Sequence, residues 1–175
     1  MERVLVIGSP GAGKSTLAAA LARLTGLPLV HLDRLHWKPG WVEADEEEFD
    51  AKLREAVAGP RWVIDGNYDR TLPLRLGRAD TVLWLDFPVW LCVARIVRRA
   101  LRYRGRVRPD MTEGCPERMS WEFFSFTARF PRQGRRRIVE TLASFRGEVV
   151  RLSGPREVRS WLARLGDEAL RPHRS

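Results

Sequence analysis

A parallel α/β fold, with five strands and helices on both faces of the sheet, is predicted by three features of this 175-residue sequence. Short apolar runs rich in β-branched residues alternate with helix-forming stretches. The first run breaks into a glycine-rich loop that opens directly into a helix. No repeat or low-complexity linker divides the chain, whose length suits one domain, 1–175.

Residues 3–7, Arg3-Val4-Leu5-Val6-Ile7, form the first strand, apolar on consecutive positions as a strand buried on both faces must be. Residues 17–24 are strong helix formers and stop at Gly26. Residues 27–32 give a second strand, and residues 46–58 a helix stopped by Gly59-Pro60. A third strand covers 61–64, a fourth 81–85 and a fifth 148–152. A long arginine-rich helix follows Phe87-Pro88 over 90–103, and the last helix spans about 156–165. Between strands four and five, 104–137 is punctuated by Gly105, Pro109, Gly114, Pro116, Pro131 and Gly134 and has too little apolar content for a core of its own. It reads as an insertion in the one domain.

Composition narrows the function classes. Apolar residues make up 44%, enough to fill a core, yet no run approaches the roughly 18 residues of a membrane span. The N-terminal run meets glycine before it can form a signal-peptide core, and Cys92 and Cys115 are too few for a disulfide framework. A soluble cytoplasmic protein with no membrane partner is expected. Charge is unevenly spread: residues 1–94 hold 11 Lys+Arg against 13 Asp+Glu, whereas 95–175 hold 20 arginines against 9 acids. A basic half points to a polyanionic partner, whether nucleic acid, membrane surface or nucleotide phosphates.

The loop points to nucleotide phosphates. Gly8-x-x-x-x-Gly13-Lys14-Ser15 matches G-x-x-x-x-G-K-[ST] completely, with the strand before and the helix after that the pattern requires. Gly8, Gly11, Ala12 and Gly13 let successive N–H groups face one oxyanion, and the helix opening near Lys14 adds its positive end. Lys14 supplies a mobile charge to the β/γ oxygens, Ser15 a hydroxyl for Mg²⁺, and Thr16 continues toward the α-phosphate. Asp65, at the carboxyl end of the third strand, can reach the metal through water, although Asp65-Gly66-Asn67 is also good turn chemistry. ATP and Mg²⁺ are the expected cofactors.

On these residues the chain resembles the adenylate-kinase-like P-loop kinases, and is similar in particular to the bacterial group labelled adenylate-kinase-related or DNA topology modulation proteins. The matching stretches are the phosphate loop, Val30-His31-Leu32-Asp33-x-x-His36-Trp37, Ile64-Asp65-Gly66-Asn67-Tyr68, Leu85-Asp86-Phe87-Pro88, Arg102-Tyr103-Arg104-Gly105-Arg106-x-Arg108 and Phe130-Pro131-Arg132. The resemblance implies strand order 2-3-1-4-5, a mobile lid at 104–137, and transfer of the ATP γ-phosphoryl group. It places adenine against the loop after the fifth strand, where Gly154 and Pro155 lie. Arg70 falls one residue away from the family's acceptor arginine. Zinc-binding relatives use four lid ligands; one cysteine here implies no lid metal.

The acceptor meets the segment after the second strand. Asp33 suits a hydroxyl acceptor, which must lose a proton on attack, whereas a nucleoside monophosphate needs no base. His36, Trp37, Asn67 and Arg70 complete the candidate acceptor site. Arg95, Arg98, Arg99 and Arg102 share one helical face. Arg102, and Arg132 with Arg135, Arg136 and Arg137 beside it, are candidate catalytic arginines alongside Lys14 and Asp33. The expected function is an ATP-dependent kinase acting on a nucleotide or a small hydroxylated metabolite. The alternative is a nucleotide-dependent nucleic-acid-binding regulator, against which stands the absence of a nucleic-acid-binding motif.

Overall fold

The computed structural model describes residues 1–117 and 121–170, with the side chains of 121–126, 128, 131–132 and 168–170 outside the description. Its central strand, β1 (Arg3–Gly8), leads through the loop into α1 (Lys14–Thr25). Then follow β2 (Leu29–His31), α2 (Leu32–His36), a hairpin of β3 (Trp37–Lys38) and β4 (Val42–Glu43), α3 (Glu46–Ala58) and β5 (Trp62–Asp65). A single 3₁₀ turn (Asp69–Thr71) precedes α4 (Leu72–Leu76) and β6 (Thr81–Leu85). The chain finishes with α5 (Val89–Arg102), α6 (Trp121–Leu142), β7 (Glu148–Leu152) and α7 (Pro155–Leu170).

The main sheet is ordered β2-β5-β1-β6-β7, and every pairing in it is parallel. In order of sequence these are strands 2-3-1-4-5, as expected. Alternate residues of β1 serve opposite layers. Val4 and Val6 pack with Leu17 and Leu21 of α1, and with Leu162 of α7. Leu5 and Ile7 pack with Phe49 and Leu53 of α3, and with Ile138 of α6. Burial on both faces is why the strand shows no alternation of polar and apolar residues. The carboxyl ends of all five strands lie on one edge, where parallel sheets bind ligands.

Two features depart from the expectation. The elements α2, β3, β4 and α4 have two to five residues each, too short to show a period. Residues 104–137 are divided: 104–117 are held by bridges Arg104–Glu117 and Val107–Pro116, but from Trp121 the chain is helical, straight through Pro131 and Gly134. Burial of Phe130 and Ile138 in the core outweighs the poor helix propensity of those two residues. Gly134 is a packing glycine, because a Cβ there would lie 2.4 Å from the Phe130 ring.

Candidate active site

The loop between β1 and α1 floors a cleft of about 1970 Å³ at the carboxyl edge of the sheet. Pockets for single small ligands run to roughly 300–1,000 Å³, so this one has room for two. Gly11 has φ 78°, and a Cβ on it would stand 2.6 Å from the Cys92 carbonyl oxygen of α5; only glycine lets the two segments approach so closely. Gly13 is the left-handed N-cap of α1, and residues 10–17 line the cleft floor. Lys14 Nζ donates to the carbonyls of Gly8 (3.1 Å) and Ser9 (3.2 Å). Desolvation lowers the Lys14 pKa, against the opposing charges of Asp33 and Asp65. The loop's lysine therefore works in the field of both candidate carboxylates.

The segment after β5 links the loop to the opposite wall. Asn67 Oδ1 accepts from the Gly8 N–H (3.0 Å), and its Nδ2 donates to the Gly8 carbonyl (2.9 Å). Asp65 Oδ1 bonds His31 Nδ1 at 2.5 Å. Burial disfavours charge on His31, but the hydrogen bond and negative charge of Asp65 prevail and raise its pKa. Tyr68 donates its hydroxyl to Asp33 Oδ1 (2.8 Å), joining the β5 side to α2. Around this bond, Tyr68, His36, Trp37 and Phe49 form a chain of edge and tilted ring contacts. Trp41 continues it with its ring 5.3 Å from that of Trp37.

Arginines of α5 and the segment after it also line the cleft. Arg95 donates to the Ala12 carbonyl (2.7 Å) and lies over the Phe87 ring. Arg98, Arg99, Arg102 and Arg108 also face the cleft. Glu117, almost wholly buried, pairs with Arg99 (3.0 Å) and Arg108 (2.6 Å). Burial, and then the neighbouring charge of Arg108, push the Arg99 pKa down.

Most of the residues singled out from sequence converge on this cleft. Gly11, Ala12, Gly13, Lys14, Ser15 and Thr16 line its floor. Asp33, His36, Trp37, Asp65, Asn67 and Arg102 line its walls, and Pro155 contributes beside Val158 and Leu162. Gly8, Arg70 and Gly154 do not line it. Gly8 lies beneath the loop with its backbone committed to Asn67 and Lys14, and the same bonds occupy the Asn67 amide that was expected to serve the acceptor. Arg70 turns outward into a two-bond pair with Asp50 of α3 (2.9 and 2.7 Å). The Arg132 side chain falls outside the described residues, while Arg135 pairs with Asp86 and Arg137 with Asp69. Sequence reasoning assigned nothing to Tyr68 or Arg75; the one available signal was a cation inside the apolar stretch Leu72-Pro73-Leu74-Arg75-Leu76.

Residues 4–64 match a family model, the ATPase family associated with various cellular activities (AAA), a span that runs from β1 through most of β5 and includes the phosphate loop. No curated protein sequence matches the chain. Solved structures resemble it along nearly its whole length. Shikimate kinase from Acinetobacter baumannii, in complex with shikimate, is 16% identical with a TM-score of 0.59, over 98% of this chain and 96% of that one. Shikimate kinase from Bacteroides thetaiotaomicron is 20% identical with a TM-score of 0.56, over 95% and 97%. A gluconokinase from Sinorhizobium meliloti 1021 is 19% identical with a TM-score of 0.51, over 95% and 94%. At such identities the likeness establishes the fold, which is that of the P-loop kinases.

Proposed function

We propose that this protein is an ATP- and Mg²⁺-dependent kinase that phosphorylates a hydroxyl group of a small metabolite. The observation that carries the reading is the placement of Asp33 on the wall of the cleft floored by the phosphate loop, near enough to Lys14 for its charge to act on the lysine. In transfer, the acceptor oxygen forms a bond to the γ-phosphorus as the bond to the leaving oxygen of ADP breaks, and the hydroxyl proton passes to Asp33. Ser15 and, through water, Asp65 supply the hard oxygen ligands that suit Mg²⁺, which when bound neutralises charge on the β/γ oxygens. Lys14 and Arg102 are the catalytic cations, and Pro155 offers the adenine ring an apolar edge next to Val158. The outward pairing of Arg70 with Asp50 favours a hydroxyl over a nucleoside monophosphate, since it takes that arginine away from an acceptor phosphate. The same inference agrees with the shikimate kinases and gluconokinase, whose named substrates carry hydroxyls. It also gives the basic half a role without nucleic acid, because eight of its twenty arginines, counted among the described residues, line the cleft.

The test is a panel of hydroxy acids, sugars, nucleosides and nucleoside monophosphates incubated with γ-labelled ATP. Label on a hydroxyl of one member supports the reading; label confined to monophosphates makes the protein a nucleotide kinase. With the accepted member, Asp33→Asn should lower kcat by about 10²–10⁴-fold with little change in ATP affinity. Unchanged turnover would remove Asp33 as the base.

A further inference from the structure

We propose that Tyr68 is a positioning residue of the acceptor site, its phenol fixing the orientation of the Asp33 carboxylate, and that Arg75 is placed in the core to hold Tyr68 there. The inference rests on the reading of Asp33 as the proton acceptor.

Three independent constraints converge on Tyr68. Its backbone is left-handed, φ 39° and ψ 70°, a conformation an aromatic residue rarely adopts and one that persists only where the surroundings enforce it. The enforcement comes from Arg75. One side of its guanidinium donates to the carbonyls of Gly66 (2.9 Å, from Nη1) and Tyr68 (2.9 Å, from Nη2), and Nη2 also bonds the Asn67 carbonyl. Three successive carbonyls are thus tied to one side chain, and that of Tyr68 also accepts from the Thr71 N–H (3.0 Å) and hydroxyl (3.2 Å). The second constraint is the ring, whose centroid lies 5.0 Å from that of His36 and 5.3 Å from that of Phe49. The third is the 2.8 Å hydrogen bond to Asp33 Oδ1.

Arg75 is an expensive way to build a turn. It is fully buried, and no carboxylate lies within ion-pair distance of it among the described residues. Burial pushes its pKa down to about 10, with the more distant charge of Asp69 opposing the shift. An apolar residue of similar size would avoid that desolvation but would leave the Gly66 and Asn67 carbonyls without this donor, so the guanidinium is kept for the turn it holds. The turn it fixes touches both halves of the site, since Asn67 grips Gly8 of the phosphate loop while Tyr68 grips Asp33. Among the described residues Asp33 Oδ2 receives no hydrogen bond. With Oδ1 occupied by the phenol, Oδ2 is the oxygen left to take a proton, and its direction is set by Tyr68.

Tyr68→Phe keeps the ring contacts and deletes only the hydroxyl, so it separates positioning from packing. The measurement is MgATP hydrolysis, with water as the acceptor, in Tyr68→Phe, Asp33→Asn and the double variant. Tyr68→Phe should lower kcat about 10–100-fold, the scale of a misdirected catalytic group, and leave the KM for ATP unchanged. The double variant should be no slower than Asp33→Asn alone, because residues acting through one group are not additive. Additive losses, or a Tyr68→Phe variant at full rate while Asp33→Asn is impaired, overturn the inference and leave Asp33 as base intact. Full activity of Asp33→Asn sinks both. The Arg75 half is read without turnover, from the ¹³Cζ chemical shift of Tyr68, easily assigned in a chain with two tyrosines. Arg75→Lys keeps a cation but loses the fork, and should move that resonance in the same direction as Asp33→Asn. A resonance unmoved in Arg75→Lys reduces Arg75 to a structural residue.

Discussion

Lys14 is the side chain whose removal tests the phosphate loop most directly. Its ammonium rests on the Gly8 and Ser9 carbonyls, within reach of the cleft, and it packs in neither core layer. Lys14→Ala should therefore cost roughly 10²–10³-fold in phosphoryl transfer, the loss typical of one preorganised charge-stabilising donor, with an unchanged far-UV spectrum. Full turnover in the variant would exclude this loop as the nucleotide site. The loop was legible in the sequence because glycines, lysine and serine at fixed spacing act through local geometry. Tyr68 and Arg75 were not, because their partners are backbone carbonyls and a carboxylate 35 residues away, and no spacing rule records such contacts.

At the scale of elements, strand β1 is anchored at its start by Asp80, whose carboxylate accepts the N–H groups of Glu2 (3.1 Å) and Arg3 (2.8 Å) and the Thr81 hydroxyl (2.8 Å). Burial works against its charge, but these donors prevail and hold its pKa below the ordinary carboxylate value. A depressed folded-state pKa contributes stability above the unfolded-state value, near 4, that is lost as pH falls through the folded one. Asp80→Asn should thus cost about 1 kcal/mol at pH 7, and chemical denaturation should show the gap between variant and parent closing below pH 4. A gap independent of pH would mean that the carboxylate charge contributes nothing. Helix α6 offers a second test with a sign opposite to propensity. Gly134→Ala favours the helix in isolation, yet its methyl would meet the buried Phe130 ring, and overpacking of that kind costs about 1–3 kcal/mol. A lowered Tm is expected; a raised one would mean that the ring moves aside freely. This is also where sequence reading stopped short. Strongly periodic elements such as α3 fall where they were expected, at Glu46–Ala58, but the continuation of α6 through a proline and a glycine depends on Phe130 and Ile138 reaching a core that only the tertiary fold creates.

For the whole molecule, the uneven charge of the sequence becomes a geometric fact: among the described residues, eight arginines of the basic half line the cleft that the phosphate loop floors. Segment 104–117 reaches over to the β3–β4 hairpin, where the Gly40 N–H donates to the Gly114 carbonyl (2.9 Å), the Trp41 indole to that of Pro116 (3.1 Å), and the Cys115 thiol to that of Lys38 (3.2 Å). Its root is the Arg99–Glu117–Arg108–Asp110 group, two cations paired with two carboxylates, of which Glu117 is buried, at the edge of the cleft. The excess positive charge beside it comes from Arg95, Arg98 and Arg102, which line the cleft and pair with no carboxylate among the described residues; nucleotide phosphates would neutralise it, so order in this segment should depend on ligand. The proposed lid is tested by hydrogen exchange with and without a non-hydrolysable ATP analogue. Nucleotide should slow exchange at the amides of Gly105 and Glu117, which bond within the segment, at Arg106, which bonds back to Tyr103 at its start, and at Gly40, which bonds across to it. The Val63 amide, in the central sheet, serves as the control for global stability. Slowing at Gly105, Arg106 and Glu117 without Gly40 would show closure on the nucleotide alone, whereas slowing at all four would make the hairpin that carries Trp37 part of the same movement and couple nucleotide binding to the shape of the acceptor site. Equal exchange in both states would make 104–117 a fixed wall of the cleft, and the arginines would then be preorganised for phosphate without any closing step.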